Sequence, residues 1–471
     1  MFNGASAFFP WSFSRHSPVA VRSEGVYIYD EEGKRYLDGC GGALAANIGH
    51  SVPAIIEEIS RMLGNLSYVH TSQFRTCVVE ELASFLAEKF PGPAQRSKVL
   101  FTSGGSEATE SAIKLVRQYW LSRNQPTRSK IISRWHGYHG ATLGALGLSG
   151  NRRRRAPYVD LLPSSEHIST CFCYHCPLAL QFPTCELACA SELEQTIIET
   201  GADTVAGFIL EPIVGATSGA VPPEGYLHNI REICNRYSIP LIADEILTGS
   251  GRTGRYFAME HWGVHPDIIL MGKGLSGGYA PLGAVLVAEH IWRPIQRAAA
   301  SLEHSFTYQA HPPSIAAGLA VQRYLAKNNL VQRAARMGEY LRERLTSLGQ
   351  LSCVGDVRGL GLMWTVEFLA DSKEHLPFPP EYQFSERIYE ALRARGVMLY
   401  PNRGTVDGAC GDHVLIAPPF VIEKSQVDFL VDELRASIEQ VASGIAAASG
   451  TLVANPDATA RTTFNQAQTE T

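Results

Sequence analysis

Two short apolar runs, Leu241-Ile242-Ala243 and Ile268-Ile269-Leu270, each lead directly into a chemically capable residue. The first ends in Asp244-Glu245, and the second, after Met271-Gly272, in Lys273. Runs this short and this apolar read as strands buried in a sheet. A glycine-rich turn with Gly249, Gly251 and Gly254 follows the first. Open α/β sheets place their ligands at the carboxyl ends of their strands. This pair of strand ends therefore constrains the chain more than any other feature, because it presents a carboxylate and an amine to a common cleft. Taken singly, a strand-end Asp reads as a cap or turn residue, and a lone Lys as solvated.

Together, the amine and the carboxylate suit a pyridine-aldehyde cofactor. A lysine can form an imine with the aldehyde, and a carboxylate can hold the ring nitrogen protonated so that the ring accepts electrons. The surrounding sequence is Asp-Glu-Ile-x-x-Gly-x-Gly-Arg-Thr-Gly and then Lys-Gly-Leu-x-Gly-Gly-x-x-Pro-Leu-Gly. It resembles the signature of the class III, or ω-, aminotransferase family of fold-type I pyridoxal phosphate enzymes. The resemblance runs from about Val19 to about Ser443. It implies an α/β fold, with a mostly parallel large-domain sheet between helices and a smaller α+β domain built from both chain ends. Residues 1–65 and 311–445 are assigned to the small domain, 66–310 to the large cofactor-binding domain, and 446–471 to a disordered tail. The resemblance makes Lys273 the lysine that carries pyridoxal 5'-phosphate, Asp244 the partner of its ring nitrogen, and Ile246 the apolar residue on one ring face.

Other stretches fit the same site. Lys98-Val99-Leu100-Phe101 reads as a strand, Thr102 to Ser106 as a Gly/Ser turn, and the residues from Glu107 as an amphipathic helix. A strand, a glycine turn and a helix N-terminus make an anion site, since free backbone N–H groups and the positive dipole end point at the ligand. Alone, a Ser-Gly-Gly-Ser turn is an ordinary turn. The resemblance assigns the cofactor phosphate to Gly104, Gly105 and Ser106. It likewise makes Tyr138, in Tyr-His-Gly, the aromatic stacked on the cofactor ring. It places Glu211, at the end of the run Val205–Leu210, next to the site. It directs Thr307, in Phe-Thr-Tyr, to the cofactor phosphate of a partner subunit, which implies a homodimer with shared sites. Thr307 also reads simply as a helix cap.

Substrate residues are harder to read. Ornithine-type relatives carry a carboxylate-binding arginine three residues before a Pro-Pro pair. Leu415 stands there, ahead of Pro418-Pro419. Arg403, in a longer loop, is the substitute candidate, and Tyr68, in the loop 66–74, a second one.

The remaining features set limits. The 471 residues suit two domains, and a net charge of -5 gives no general argument for nucleic acid or membrane. No window approaches a transmembrane span. No secretory signal is evident at the start, so a cytoplasmic setting is expected, with ten cysteines reduced. The run Arg152–Arg155 reads as a solvated face, because no wider basic field surrounds it. Cys171, Cys173, Cys176, Cys185 and Cys189 crowd one insertion, residues 171–189. Their spacing is not a familiar zinc pattern. The insertion reads as a structural loop with buried thiols, and no metal is expected.

The expected reaction is ping-pong transamination from an amine or amino acid donor to a 2-oxo acid. A racemase, aminomutase or lyase on the same scaffold is the alternative. A catalytically silent binding protein would be expected to lack Lys273 or Asp244, and both are present.

Overall fold

The computed structural model describes residues 7–10, 12, 17–92, 97–299, 301–372 and 374–452. Most of the segment 1–18 and the tail beyond 452 lie outside the described residues.

The central sheet has seven strands. From one edge they are Lys98–Thr102, Gly283–Val287, Ile268–Met271, Leu241–Asp244, Val205–Leu210, Lys130–Arg134 and His167–Ile168. Every contact from Ile268–Met271 outward to His167–Ile168 is parallel. Gly283–Val287 runs antiparallel to both of its neighbours. Val205–Leu210 and Leu241–Asp244 are buried on both faces. That is the physical reason they are unbroken apolar runs rather than alternating ones. Apolar side chains fill both sides of the sheet. Phe208, Tyr226 and Leu241 belong to one cluster, and Ile209, Ile242 and Leu270 to the other.

Both chain ends contribute to the rest of the fold. Ala20–Glu24, Tyr27–Asp30 and Arg35–Asp38 form an antiparallel meander, and Val397–Met398 adds to it in parallel beside Leu37 and Asp38. A second sheet pairs Val354–Leu360, Met363–Asp371, Asp412–Ile416 and Tyr400–Arg403 in that order. One apolar cluster joins Val26, Leu37 and Ile48 from the amino-terminal side to Leu341, Phe368, Leu430 and Ile438 from the carboxyl-terminal side. The helix from Lys424 continues to Leu452, past the start assigned to the disordered tail.

Two buried ionic groups tie these parts together. Arg252, in the glycine turn, is 2% exposed. It donates to the carbonyls of Leu362 at 3.1 Å, Pro418 at 2.6 Å and Ala46 at 3.5 Å. Glu367, fully buried on the strand Met363–Asp371, accepts from His175 at 2.6 Å, Arg358 at 2.6 Å and Thr405 at 2.7 Å. The cysteine-rich insertion is thereby held against the second sheet by His175. Of its five thiols only Cys171 is buried, while Cys173 is exposed and the others intermediate, so the expectation of a loop with buried thiols fails for four of them. The reason is that the loop's aromatic residues form the contact: Phe172 lies under Arg358 and Tyr174 packs against His375. Among the described residues, no group of three His, Cys, Asp or Glu side chains is arranged to hold a metal ion.

Candidate active site

The carboxyl ends of the parallel strands open into a cavity of about 280 Å³. Its floor is the end of Leu241–Asp244. Successive residues of an extended segment point to opposite sides, and the acidic pair divides accordingly. Asp244 faces the cavity. Glu245 turns away, is 1% exposed, and accepts the backbone N–H groups of Ala258 and Met259. Asp244 is also almost fully buried, and its Oδ2 lies 2.7 Å from Nδ1 of His139. A carboxylate only accepts, so Nδ1 carries the proton and donates it. Its Oδ1 accepts the N–H of Ile246 at 3.1 Å. The carboxylate is thus aimed from two sides.

Lys273 follows the strand Ile268–Met271 and has φ 44°, in the left-handed region that side chains other than glycine seldom adopt. Its Nζ donates to the carbonyl of Ala43 at 2.7 Å. Ala43 and Leu44 both line the cavity, so the stretch of small residues from Gly39 to His50 reaches the site. Part of the Lys273 side chain is open to the cavity, yet protein surrounds its ammonium closely. Burial lowers its pKa to about 8, against the opposing pull of Asp244 and Glu211. About a tenth of this amine is then neutral and nucleophilic at pH 7, far more than at its ordinary pKa.

One wall is the start of the helix Gly105–Ser122, which begins two residues earlier than the sequence pattern placed it. Gly105 and Ser106 line the cavity there. A Cβ at Gly105 would stand 2.9 Å from the side chain of Ile246, so any larger residue there would push Ile246 aside. Ser106 Oγ accepts the N–H of Ala141 at 3.0 Å. Gly104 caps the helix but is not among the residues lining the cavity. Tyr138 and Ile246 both line it. Glu211 is 2% exposed and accepts the N–H of Tyr138 at 2.8 Å and of Gly215 at 3.1 Å. Burial raises its pKa to about 7.

Three predicted residues stand elsewhere. Thr307 is exposed. Its carbonyl accepts the hydroxyl of Tyr68 at 3.0 Å, and Tyr68 is itself 43% exposed, outside the cavity wall. Arg403 ends the strand Tyr400–Arg403, half-buried, and does not line the cavity either. Leu415 does line it, so the position where ornithine-type relatives carry arginine is an apolar wall.

Two residues were missed. His139 sits inside the Tyr-His-Gly triplet, in the loop five residues past the strand Lys130–Arg134, and its partner Asp244 is distant in sequence. Arg154 lines the cavity with its guanidinium 4.7 Å from the centre of the Tyr138 ring. The run Arg152–Arg155 is therefore not simply a solvated face. It forms one helical turn, capped by Asn151, and a single turn cannot point four side chains the same way.

The cavity fits a phosphorylated pyridine aldehyde on its donor set alone. It offers one nucleophilic amine, a buried carboxylate for a protonated ring nitrogen, an aromatic and an aliphatic side chain, and a glycine-led helix start for an anion.

Comparison with known proteins identifies the family. A family model described as aminotransferase class III matches residues 13–438. The uncharacterized aminotransferase YodT of Bacillus subtilis is 40% identical over 416 residues, covering 88% of this chain and 93% of its own. The putrescine–pyruvate aminotransferase of Pseudomonas aeruginosa is 32% identical, covering 91% and 92%. Among solved structures, a thermostable (S)-enantioselective omega-transaminase from Thermomicrobium roseum superposes with a TM-score of 0.86 at 36% identity, covering 93% and 96%. A PLP-bound amine transaminase from an uncultivated Pseudomonas species gives 0.87 at 34% identity, covering 93% and 100%.

Proposed function

The chain belongs to the class III aminotransferases and is an enzyme of transamination, and from that premise we propose how its residues divide the work. The observation that carries the proposal is the convergence of Lys273 and the His139-supported Asp244 on one cavity. Pyridoxal 5'-phosphate, when bound, supplies an aldehyde for the amino group and a ring that takes up electrons. Lys273 Nζ is the amine that would hold that aldehyde. Once displaced by the amino donor, the same nitrogen is the base that moves a proton between carbon atoms, and its lowered pKa suits that work near neutral pH. Asp244, fixed by His139 and the Ile246 N–H, would keep the ring nitrogen protonated. Tyr138 and Ile246 would hold the ring plane, with Gly104, Gly105 and Ser106 on the phosphate. Glu211 orients Tyr138 through its backbone N–H.

The donor is proposed to be an amine or amino acid and the acceptor a 2-oxo acid. The assembly is proposed to be a homodimer in which Thr307 reaches the partner's phosphate. Its support is a patch where Tyr68 and Tyr308 meet edge-on, 43% and 59% exposed beside Thr307. Arg403 and Tyr68 stay proposed as residues near substrate. No helix among the described residues is long and apolar enough to cross a membrane. The proposed setting is the cytoplasm, which suits ten unpaired cysteines.

The test is the visible absorbance of the purified protein before and after addition of donors without acceptor. A lysine-linked cofactor band, abolished in Lys273→Ala and bleached by one donor with a stoichiometric carbonyl product, is the expected result. A band that no donor bleaches would count against this division of roles.

A further inference from the structure

The residue that the proposed reaction leaves without work is Arg154. Among the described residues lining the cavity it is the one guanidinium, and Lys273 is the only other cationic side chain there. None of the ion pairs formed by the described residues includes it. It lies over the ring of Tyr138, 4.7 Å from centroid to guanidinium. The Tyr138 ring steadies the guanidinium and the Tyr138 hydroxyl lies within hydrogen-bonding reach of it, which leaves the remaining donors of the planar fork for a carboxylate.

The support beneath Arg154 is rigid. Its backbone N–H is capped by Asn151 Oδ1 at 3.1 Å. Asn151 is 6% exposed and bonds Thr217 at 3.2 Å. The next residue, Arg155, is pinned by the carbonyls of Leu146, Gly147 and Ser149. Cavity walls contributed by Leu415, Leu247 and Tyr400 offer no other cation for an anionic group. Arg403 stands outside them.

We propose that Arg154 is the specificity-determining ligand for the substrate carboxylate, so that the enzyme takes amino acids and 2-oxo acids in preference to carboxylate-free amines and carbonyls. This rests on the transaminase reading and names its substrate class. Because the two half-reactions of a ping-pong path use one cavity, the same arginine receives the carboxylate of the donor and of the acceptor.

The test compares the holoenzyme with Arg154→Gln, Arg154→Lys and the exposed neighbour Arg152→Gln as control. The donors are alanine and isopropylamine, which differ by a carboxylate replaced with a methyl group. The acceptors are pyruvate and 2-oxoglutarate. Arg154→Gln should keep the cofactor band and thermal midpoint and raise KM for the oxo acid by about 10- to 100-fold, with kcat changed by less than about threefold. The preference for alanine over isopropylamine should fall by a similar factor, Arg154→Lys should recover part of it, and Arg152→Gln should leave the constants unchanged. Equal losses for alanine and isopropylamine, or an unchanged KM for both oxo acids, overturn the assignment of Arg154 alone. If the unsubstituted enzyme transfers an amino group from no donor at all, the underlying transaminase reading fails instead.

Discussion

Nδ1 of His139 donates to Oδ2 of Asp244 across 2.7 Å, and both residues are 2% exposed. A buried carboxylate is costly unless its charge is matched and its lone pairs are used. The ring nitrogen of the cofactor and the imidazole share that task in the proposed site. Asp244→Asn should therefore lower kcat on the order of 10²–10³-fold while the protein still folds, because the amide cannot stabilise a protonated ring nitrogen. His139→Phe, which keeps the ring volume but frees the carboxylate, should cost less, about 10-fold, since it only loosens the aim of Asp244. Stopped-flow bleaching of the cofactor band by a donor measures both, and an Asp244→Asn enzyme as fast as wild type would remove Asp244 from the mechanism.

Lys273 gives a pH prediction. Only the neutral amine attacks an aldehyde, and burial sets its pKa near 8 rather than the ordinary 10.5. The rate at which apoenzyme regains its cofactor band should rise with pH and level off above about 9. A midpoint near 10.5 instead would mean that the amine is solvated in the free enzyme.

The close approach of the helix start to Ile246 is open to a steric test. Gly105→Ala places a Cβ 2.9 Å from Ile246 Cδ1. Ile246 must move off the ring face, so cofactor affinity should fall by about 10-fold with little change in the melting temperature of the apoenzyme. Equilibrium titration with pyridoxal phosphate measures the first and calorimetry the second. An unchanged affinity would mean that Ile246 has room to give way.

Glu367 carries the acid stability. Burial pushes its pKa up, but the hydrogen bond from His175 and the charge of Arg358 override this and hold it at about 2, against an ordinary 4.5. A carboxylate with a lowered folded pKa stabilises the protein above its unfolded value. That stability, about 3 kcal/mol, is lost as the pH falls from about 4.5 towards 2. Glu367→Gln should remove most of it at neutral pH and flatten the dependence in that window. Urea unfolding at pH 7 and pH 3 checks both, and identical pH slopes for the two proteins would refute it.

The legible parts of the sequence were those where local chemistry and burial agree. Leu241–Asp244, Ile268–Met271 and Val205–Leu210 are continuous apolar runs because they are interior strands, and each leads to a residue at the cavity. The antiparallel strand Gly283–Val287 was not read, although the turn at Gly277-Gly278 and the apolar run after it were visible, because nothing local fixes its direction in the sheet. His139 and Arg154 were hidden for different reasons. His139 acts through a residue more than a hundred positions away, which no local pattern reveals. Arg154 is one of four identical neighbours, and only the geometry of one helical turn separates it from the others. The domain ends meet through long-range pairing, such as Val397 beside Leu37, which periodicity cannot show.

Arg252 fixes when the cavity can exist. Its guanidinium joins carbonyls at positions 46, 362 and 418, and the cavity walls likewise draw on Ala43 and on Tyr400 and Leu415. During synthesis the central sheet can be complete once residue 287 has left the ribosome, but the wall cannot close until more than a hundred further residues have followed. Closure of this part of the cavity wall is therefore a late event in the life of the chain. A ribosome-stalled or truncated product ending near residue 390 would carry Lys273 and Asp244 without the wall that Tyr400 and Leu415 supply.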